Sequence, residues 1–473
     1  MLKKDHKEVL DIISEVERPA LTSLKSCGIH IWPLIRYQII QSQWNETRNK
    51  LSNKDFLDQN HTFISDYKSY YLEAKFKFKL GRYLQRFYQS KNIIFFYRQE
   101  ELQIDSKGQK VSTIGEGVCS YFKTLGESAE TLKLDDADFL ELFEIKFQIN
   151  LKRIFHQVKK EQLFEMLLEV FTDKEKSTLR LDFNWIFNDI VYIQTYFELY
   201  VQILRILKPK CIFYTVFYHP KSMALALAGR SLKITTTEVQ HGLNGTYCPL
   251  EGHYKYIPEE GYNILPNCFW QWDQGSVLRK GCFSSIAKVM NLGHPAFQYF
   301  KNVAHSPSYI TRHKTIILVA LQPGDDPIPK LIMDLINDRS LSSFQWLIRT
   351  HPRAHPLDSK LVEELNTKEN VEVESPSKEY LATLLVNCDI FISKWSTILV
   401  EAALYGKQSI AIHPNALNMM EDAIKNKLIQ FASDPESLKL LLRTPKPNSQ
   451  PKPNAAQSDH IISTLRKEYL CAE

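Results

Sequence analysis

The stretch Asp389–Ile412 reads DIFISKWSTILVEAALYGKQSIAI. Asp389 to Ser393 is a short apolar run of the kind that makes a buried strand. Thr397 to Tyr405 fits a helix opened by hydroxyl residues. Gln408 to Ile412 is a second strand-like run. Strand, helix and strand in that order form a βαβ unit, which calls for a parallel sheet. Working upstream, Thr315–Ala320, Phe344–Arg349 and Val371–Glu374 read as further strands. Helices fit between them at Ile328–Leu335, Asp358–Leu365 and Ser377–Val386. This alternation is the pattern of a doubly wound domain.

The same texture recurs earlier in the chain. Cys211–Val216 and Ile234–Val239 read as strands around an Ala/Leu-rich helix at Lys221–Arg230, and Ile93–Tyr97 is a first strand. Residues 1–90 and 130–208 read as mostly helical. Thr444–Asn454 is Pro-rich and polar, an extended linker before a short last helix. The expected organisation is a helical region at 1–90, an α/β domain at 91–292, a second at 293–443 and a tail at 444–473. Two α/β halves imply a cleft, with ligands bound beyond the carboxyl ends of the strands.

Composition narrows the class. Of 473 residues, 44% are hydrophobic and 24% charged, which excludes a disordered chain and a small disulfide-stapled module. Fifty-nine basic against 54 acidic side chains leave a net charge of +5, too small an excess for a nucleic-acid-binding surface. No two of the eight cysteines form a C-x-x-C pair, so reduced thiols in a cytoplasmic protein are expected. The N-terminus lacks the apolar core of a signal peptide, and no apolar run approaches the roughly 20 residues of a membrane span. Residues 70–92 carry Lys75, Lys77, Lys79, Arg82, Arg86 and Lys91 against the single acid Glu73, with aromatics interleaved. Such a segment is either an amphipathic helix with a solvated basic face or a peripheral contact to an anionic membrane.

The strand ends supply the candidate site. After Arg349 come His351 and Arg353, three donors suited to phosphate around a Pro turn. After Ser393 come Ser396 and Thr397 at a helix start, able to cap the helix or to hold an anion, with Glu401 one turn further on the same face. After Val239 comes His241, three residues from Glu238; the two point the same way only where the strand bends. Gly293 and His294 mark a turn at the expected domain junction. Gly324 lies in a polar turn whose N–H groups suit a phosphate; the neighbouring Asp325 and Asp326 are too few for a metal, and no metal site is expected. Glu116, between two glycines, is expected in a loop that exposes its carboxylate.

Thr237–Gly242, the Gly293-His294-Pro295 turn, Arg349–Arg353 and Trp395–Ala402 together resemble bacterial GT-B glycosyltransferases of surface polysaccharide assembly. The His-Pro and Ser-Thr elements are similar to those of sialyl- and Kdo-transferases that use CMP-sugars. The resemblance spans about residues 210–430. It implies a GT-B fold, two Rossmann-like domains facing a cleft with a helical N-terminal extension. It implies a cytoplasmic enzyme, peripheral to the inner membrane, that passes a CMP-linked Kdo, sialic or nonulosonic acid to a polysaccharide or lipid-linked glycan without metal or cofactor. It places donor contacts on His351, Ser396 and Thr397. Those families hold the base in an acidic pair before glycine; the nearest sequence here is Gly115-Glu116-Gly117. His241, Glu238 and Glu116 are the candidate bases, while Arg349, Arg353, Glu401, Gly293, His294 and Gly324 join the donor side. A UDP-sugar transferase, a CDP-polyol phosphate transferase and a non-catalytic nucleotide-sugar-binding scaffold are the alternatives.

Overall fold

The computed structural model describes residues 6–44, 66–85, 91–98, 102–104, 109–133, 136–242, 250, 253–272, 287–297, 299, 306–311, 313–322, 328–351, 357–444 and 455–470. The chain forms two α/β units, each built on a six-stranded parallel sheet, the two Rossmann-like domains expected of a GT-B protein. The first unit takes residues 1–101, 118–292 and 464–473, and the second takes 102–117 and 293–463. The described helices within residues 6–44 and 66–85 pack into the core of the first unit.

The first sheet contains β1 (Ile93–Tyr97), β2 (Ala129–Lys133), β3 (Cys211–Tyr214), β4 (Thr235–Val239), β5 (Cys268–Gln271) and β6 (Lys288–Asn291), in the spatial order 6-5-4-3-1-2. β1 and β3 are apolar on both faces because helices cover both sides of the sheet. The helix Phe183–Leu207 forms one cover. Asp182 caps it by accepting from the N–H groups of Asn184 and Trp185, and Lys208 ends it at φ 48°. Its buried Ile190, Tyr200 and Leu204 share one core with Phe96 and Ile212 of the sheet and with Val9, Ile13, Trp32 and Ile39 of the N-terminal helices. Each such aliphatic side chain stabilises the unit by roughly 1.5–3 kcal/mol when fully buried.

A buried ion pair ties the N-terminal helices to the rest of this unit. Arg36 and Glu17 are 1% and 2% exposed, with Nη1 3.0 Å from Oε2. Glu17 Oε1 also accepts from the Lys255 and Tyr256 N–H groups, and Arg36 lies 4.0 Å from the centre of the Tyr254 ring. At the other end of the sequence, the Tyr469 hydroxyl meets Thr237 Oγ1 of β4 at 2.8 Å, 232 residues away along the chain.

The helix Asp66–Gln85 buries Leu72, Phe76, Leu80, Tyr83 and Leu84 in the same core. Lys75 and Lys79 pair with Glu141, so the basic face presented by its exposed residues narrows to Lys77 and Arg82, beside Tyr71 (64% exposed) and Phe78 (65%). Arg86 falls outside the described residues. Among the described residues no helix is long and apolar enough to cross a membrane, and no cluster of His, Cys, Asp or Glu could hold a metal ion.

The second sheet contains β7 (Thr315–Ala320), β8 (Phe344–Arg349), β9 (Val371–Glu372), β10 (Ile390–Ser393), β11 (Gln408–Ala411) and β12 (Gln430–Phe431). Its order, 9-8-7-10-11-12, is that of a Rossmann domain, with the reversal between β7 and β10. Ile317, Val319, Trp346, Ile348, Ile390 and Ile392 form its core with Ile332, Leu335, Leu365 and Leu438 from the covering helices. The single helix expected over Ser377–Val386 is instead two short ones, Glu374–Lys378 and Leu381–Asn387.

Candidate functional site

In each unit several of the candidates lie just beyond the carboxyl ends of the parallel strands. In the first, β4 delivers Glu238, 2% exposed, and the chain then leaves the sheet. Gln240 fixes that exit: its backbone N–H donates to Trp270 O, its side-chain oxygen accepts from Trp272 N–H, and its side-chain nitrogen donates to Gly242 O. The chain bends enough to bring His241 Nδ1 to 3.5 Å from Glu238 Oε1. His241 Nδ1 makes no hydrogen bond among the described residues, so the approach to Glu238 fixes no tautomer; either ring nitrogen can serve as a base. Tyr218 lies beside the histidine, with ring centres 6.3 Å apart.

In the second unit the reversal point lies between the ends of β7 and β10. Ser393 Oγ donates to Ala320 O at 2.8 Å and accepts from Gln322 Nε2 at 3.4 Å, joining the two strand ends. The chain then passes Ser396 and Thr397 into the helix Ile398–Leu404. Ser396 Oγ accepts from the Ile398 N–H at 3.3 Å, a capping contact, while the Thr397 side chain makes no cap bond. One strand over, Arg349 Nη1 donates to the carbonyls of Pro376 and Glu379. That nitrogen is committed to the fold, and burial lowers the guanidinium pKa. His351 is half-buried just beyond β8; Arg353 and Gly324 lie outside the described residues.

His294 and Glu401 form a pair that the sequence does not join. His294 Nδ1 accepts from the Ala296 N–H at 3.2 Å, so the ring hydrogen sits on Nε2, 3.7 Å from Glu401 Oε2. The ring stacks on Phe297 with centres 4.6 Å apart. Burial pushes the histidine down to about 3 and the Glu401 carboxyl up to about 7. Glu401 therefore holds a proton in the folded state from its ordinary value of 4.5 up to about 7, and stability falls as pH rises through that window. Glu401→Gln removes the titration. Its stability should gain on the wild type from pH 5 to pH 8, toward about 3 kcal/mol at about 1.4 kcal/mol per pKa unit, read from melting curves at each pH. Parallel melting curves across that range would overturn the assignment.

Glu116 lies in the first turn of the helix Thr113–Thr124, not in a loop. This overturns the expectation that flanking glycines would expose it. Gly117 has a different purpose. A Cβ built on it would sit 2.2 Å from Pro295 O and 2.8 Å from Ala296 N, so only glycine lets the helix meet the Gly293–Pro295 turn. Gly293 itself adopts φ 75°, which suits glycine. Gly117→Ala should destabilise the second unit by about 1–3 kcal/mol through overpacking against backbone. Helix propensity alone predicts the opposite sign, a gain of about 1 kcal/mol. Denaturant midpoints decide between them.

Sequence reasoning passed over Arg98, Tyr218 and His219, which follow β1 and β3 at the first unit's own reversal point. The signal was available, since the residues after Ile93–Tyr97 and Cys211–Val216 are also strand ends.

No protein-family model matches the chain, and no curated protein matches it. Among solved structures it is similar in fold to the UDP-GlcNAc 2-epimerase of Neisseria meningitidis bound to UDP-GlcNAc, at 15% identity over 79% of this chain and 99% of that one, with a TM-score of 0.45. The UDP-GlcNAc 2-epimerase of Methanocaldococcus jannaschii matches at 13% identity over 79% and 99%, with a TM-score of 0.45. The wall teichoic acid polymerase TagF with CDPG matches at 10% over 87% and 94%, with a TM-score of 0.37. At such identities and scores the likeness bears on no activity of this chain.

Proposed function

We propose that the chain is a GT-B glycosyltransferase that passes a sugar from a nucleotide-activated donor to a hydroxyl of a surface polysaccharide or lipid-linked glycan. The observation that carries this reading is the Glu238–His241 pair, 3.5 Å apart, at the carboxyl end of the first unit's parallel sheet. A histidine oriented by a buried carboxylate is suited to take a proton from a hydroxyl. In this reading His241 takes the acceptor's proton and the acceptor oxygen bonds to the anomeric carbon. The bond from that carbon to the donor's phosphate oxygen breaks, and the phosphate leaves with the electron pair. Glu238 holds the imidazole and balances the imidazolium that forms.

The second unit is assigned the donor. His351, Arg353, Ser396 and Thr397 are assigned to the leaving phosphate, with Arg349, Gly293, His294, Gly324 and Glu401 on the donor side. Side-chain donors of this kind stabilise developing phosphate charge without a metal. The preferred donor is a CMP-linked Kdo, sialic or nonulosonic acid, supported by the His-Pro and Ser-Thr elements of the sequence. The test is binding of CMP, CDP, UDP and GDP with and without Mg²⁺, read as a shift in melting temperature. CMP alone should stabilise, without metal. A preference for UDP or CDP would move the donor to a UDP-sugar or a CDP-polyol. Binding of none would remove the transferase reading.

A further inference from the structure

The first sheet reverses its strand order between β1 and β3, and the segments leaving these two strands carry cations. β1 and β3 are parallel neighbours with Phe96 opposite Tyr214, so Arg98 and Thr215 leave the sheet at the same end. From Thr215 the chain passes Tyr218 and His219 into the helix Pro220–Ser231, whose first turn holds Lys221. His219 caps that helix: its Nδ1 accepts from the Lys221 N–H at 3.3 Å, which puts the ring hydrogen on Nε2. Burial drives the His219 pKa well down, and the charges of Arg98 and Lys221 push it the same way. This imidazole is therefore a neutral donor held close to two cations.

An aromatic wall stands beside the cations. Tyr37 stacks on Tyr218 with ring centres 5.9 Å apart and meets His219 edge-on at 6.5 Å. The Lys221 ammonium lies 5.7 Å from the centre of the Tyr196 ring. Arg98, Tyr37, Tyr218, His219 and Lys221 are all half-buried. Thr215 is 2% exposed and its hydroxyl has no hydrogen-bond partner among the described residues. Anionic ligands bind where strand order reverses in such sheets because helix starts and loop donors converge there.

We propose that this corner binds an anionic group, phosphate or carboxylate, carried by the acceptor saccharide. Arg98 and Lys221 neutralise it, His219 Nε2–H and the Thr215 hydroxyl donate to it, and Tyr37 and Tyr218 lie against the adjoining ring. The word acceptor rests on the transferase reading above; the anion site does not.

The test is calorimetry on the full chain at fixed ionic strength, with glucose 6-phosphate, glucuronate and glucose as probes. Both anionic sugars should bind at least about tenfold more tightly than glucose. Arg98→Gln and Lys221→Gln should each weaken glucose 6-phosphate about tenfold. His219→Asn keeps a side-chain acceptor for the helix cap and should also weaken the anion. Should Arg98→Gln fail to melt cooperatively, Arg98→Lys tests the same charge with binding retained. Equal binding in wild type, Arg98→Gln and Lys221→Gln, or no preference over glucose, would overturn the proposal. Displacement of glucose 6-phosphate by CMP or UDP would overturn it too, by giving the corner to the donor. Loss of all nucleotide binding with the anion site intact would end the transferase reading alone.

Discussion

Replacing His241 by alanine should lower turnover about 10²- to 10⁴-fold, the range that a positioned general base supplies. Nucleotide binding should survive, because the residues assigned to the donor lie in the other unit. Glu238→Gln should give a smaller loss. Glutamine can still accept at the same place, but it carries no charge to balance an imidazolium. The two substitutions act on one device, so the double variant should lose little more than His241→Ala alone. A His241→Ala enzyme with full turnover would refute the assignment. Fully additive losses would show that Glu238 and His241 act separately, and the pair would then cease to carry the functional reading.

Glu17→Ala should destabilise the first unit by about 3–5 kcal/mol, the usual cost of removing one partner from a buried pair. Arg36, 1% exposed, would keep its charge and lose the Glu17 carboxylate 3.0 Å away. The N–H groups of Lys255 and Tyr256 would lose their acceptor. Attraction to the Tyr254 ring offsets only a small part, of order 1–2 kcal/mol. Glu17→Gln, which preserves an acceptor but no charge, should fall between. Urea midpoints for the three proteins provide the comparison, and a wild-type midpoint for Glu17→Ala would show that the pair is not a structural tie.

Five of the six strands of the second sheet were readable because runs such as 316–320 and 390–392 are apolar and are followed by polar residues, while the two-residue Gln430–Phe431 gave no signal. Other strands gave little signal. Ala129–Lys133 is an edge strand of the first sheet, three of its five residues are partly exposed, and its sequence merges with the helical run after it. Cys268–Gln271 is too short to show a period. The candidates Glu238 and His241 were visible as residues but not as a pair, since their approach depends on the bonds from Gln240 to Trp270 and Trp272 on the neighbouring strand. His294 with Glu401, and Arg98 with His219, are remote in sequence and brought together by strand pairing and helix packing. Glu116 misled for a local reason: its glycine neighbour serves close packing of a helix against the Pro295 turn, and that packing has no sequence signature.

The contact between Tyr469 and Thr237 sets an order of events in time. Its two residues are 232 positions apart, and nearly all of the second unit lies within the loop that it closes. Contacts that enclose so long a loop form late, because the ordering entropy is lost before the contact is gained. The second unit draws its main core from a single run of sequence and can complete it while that loop is still open. The strand that leads to the proposed base is thus expected to be secured late, by this hydrogen bond. A chain caught during refolding would have its proposed donor unit finished before its proposed acceptor unit.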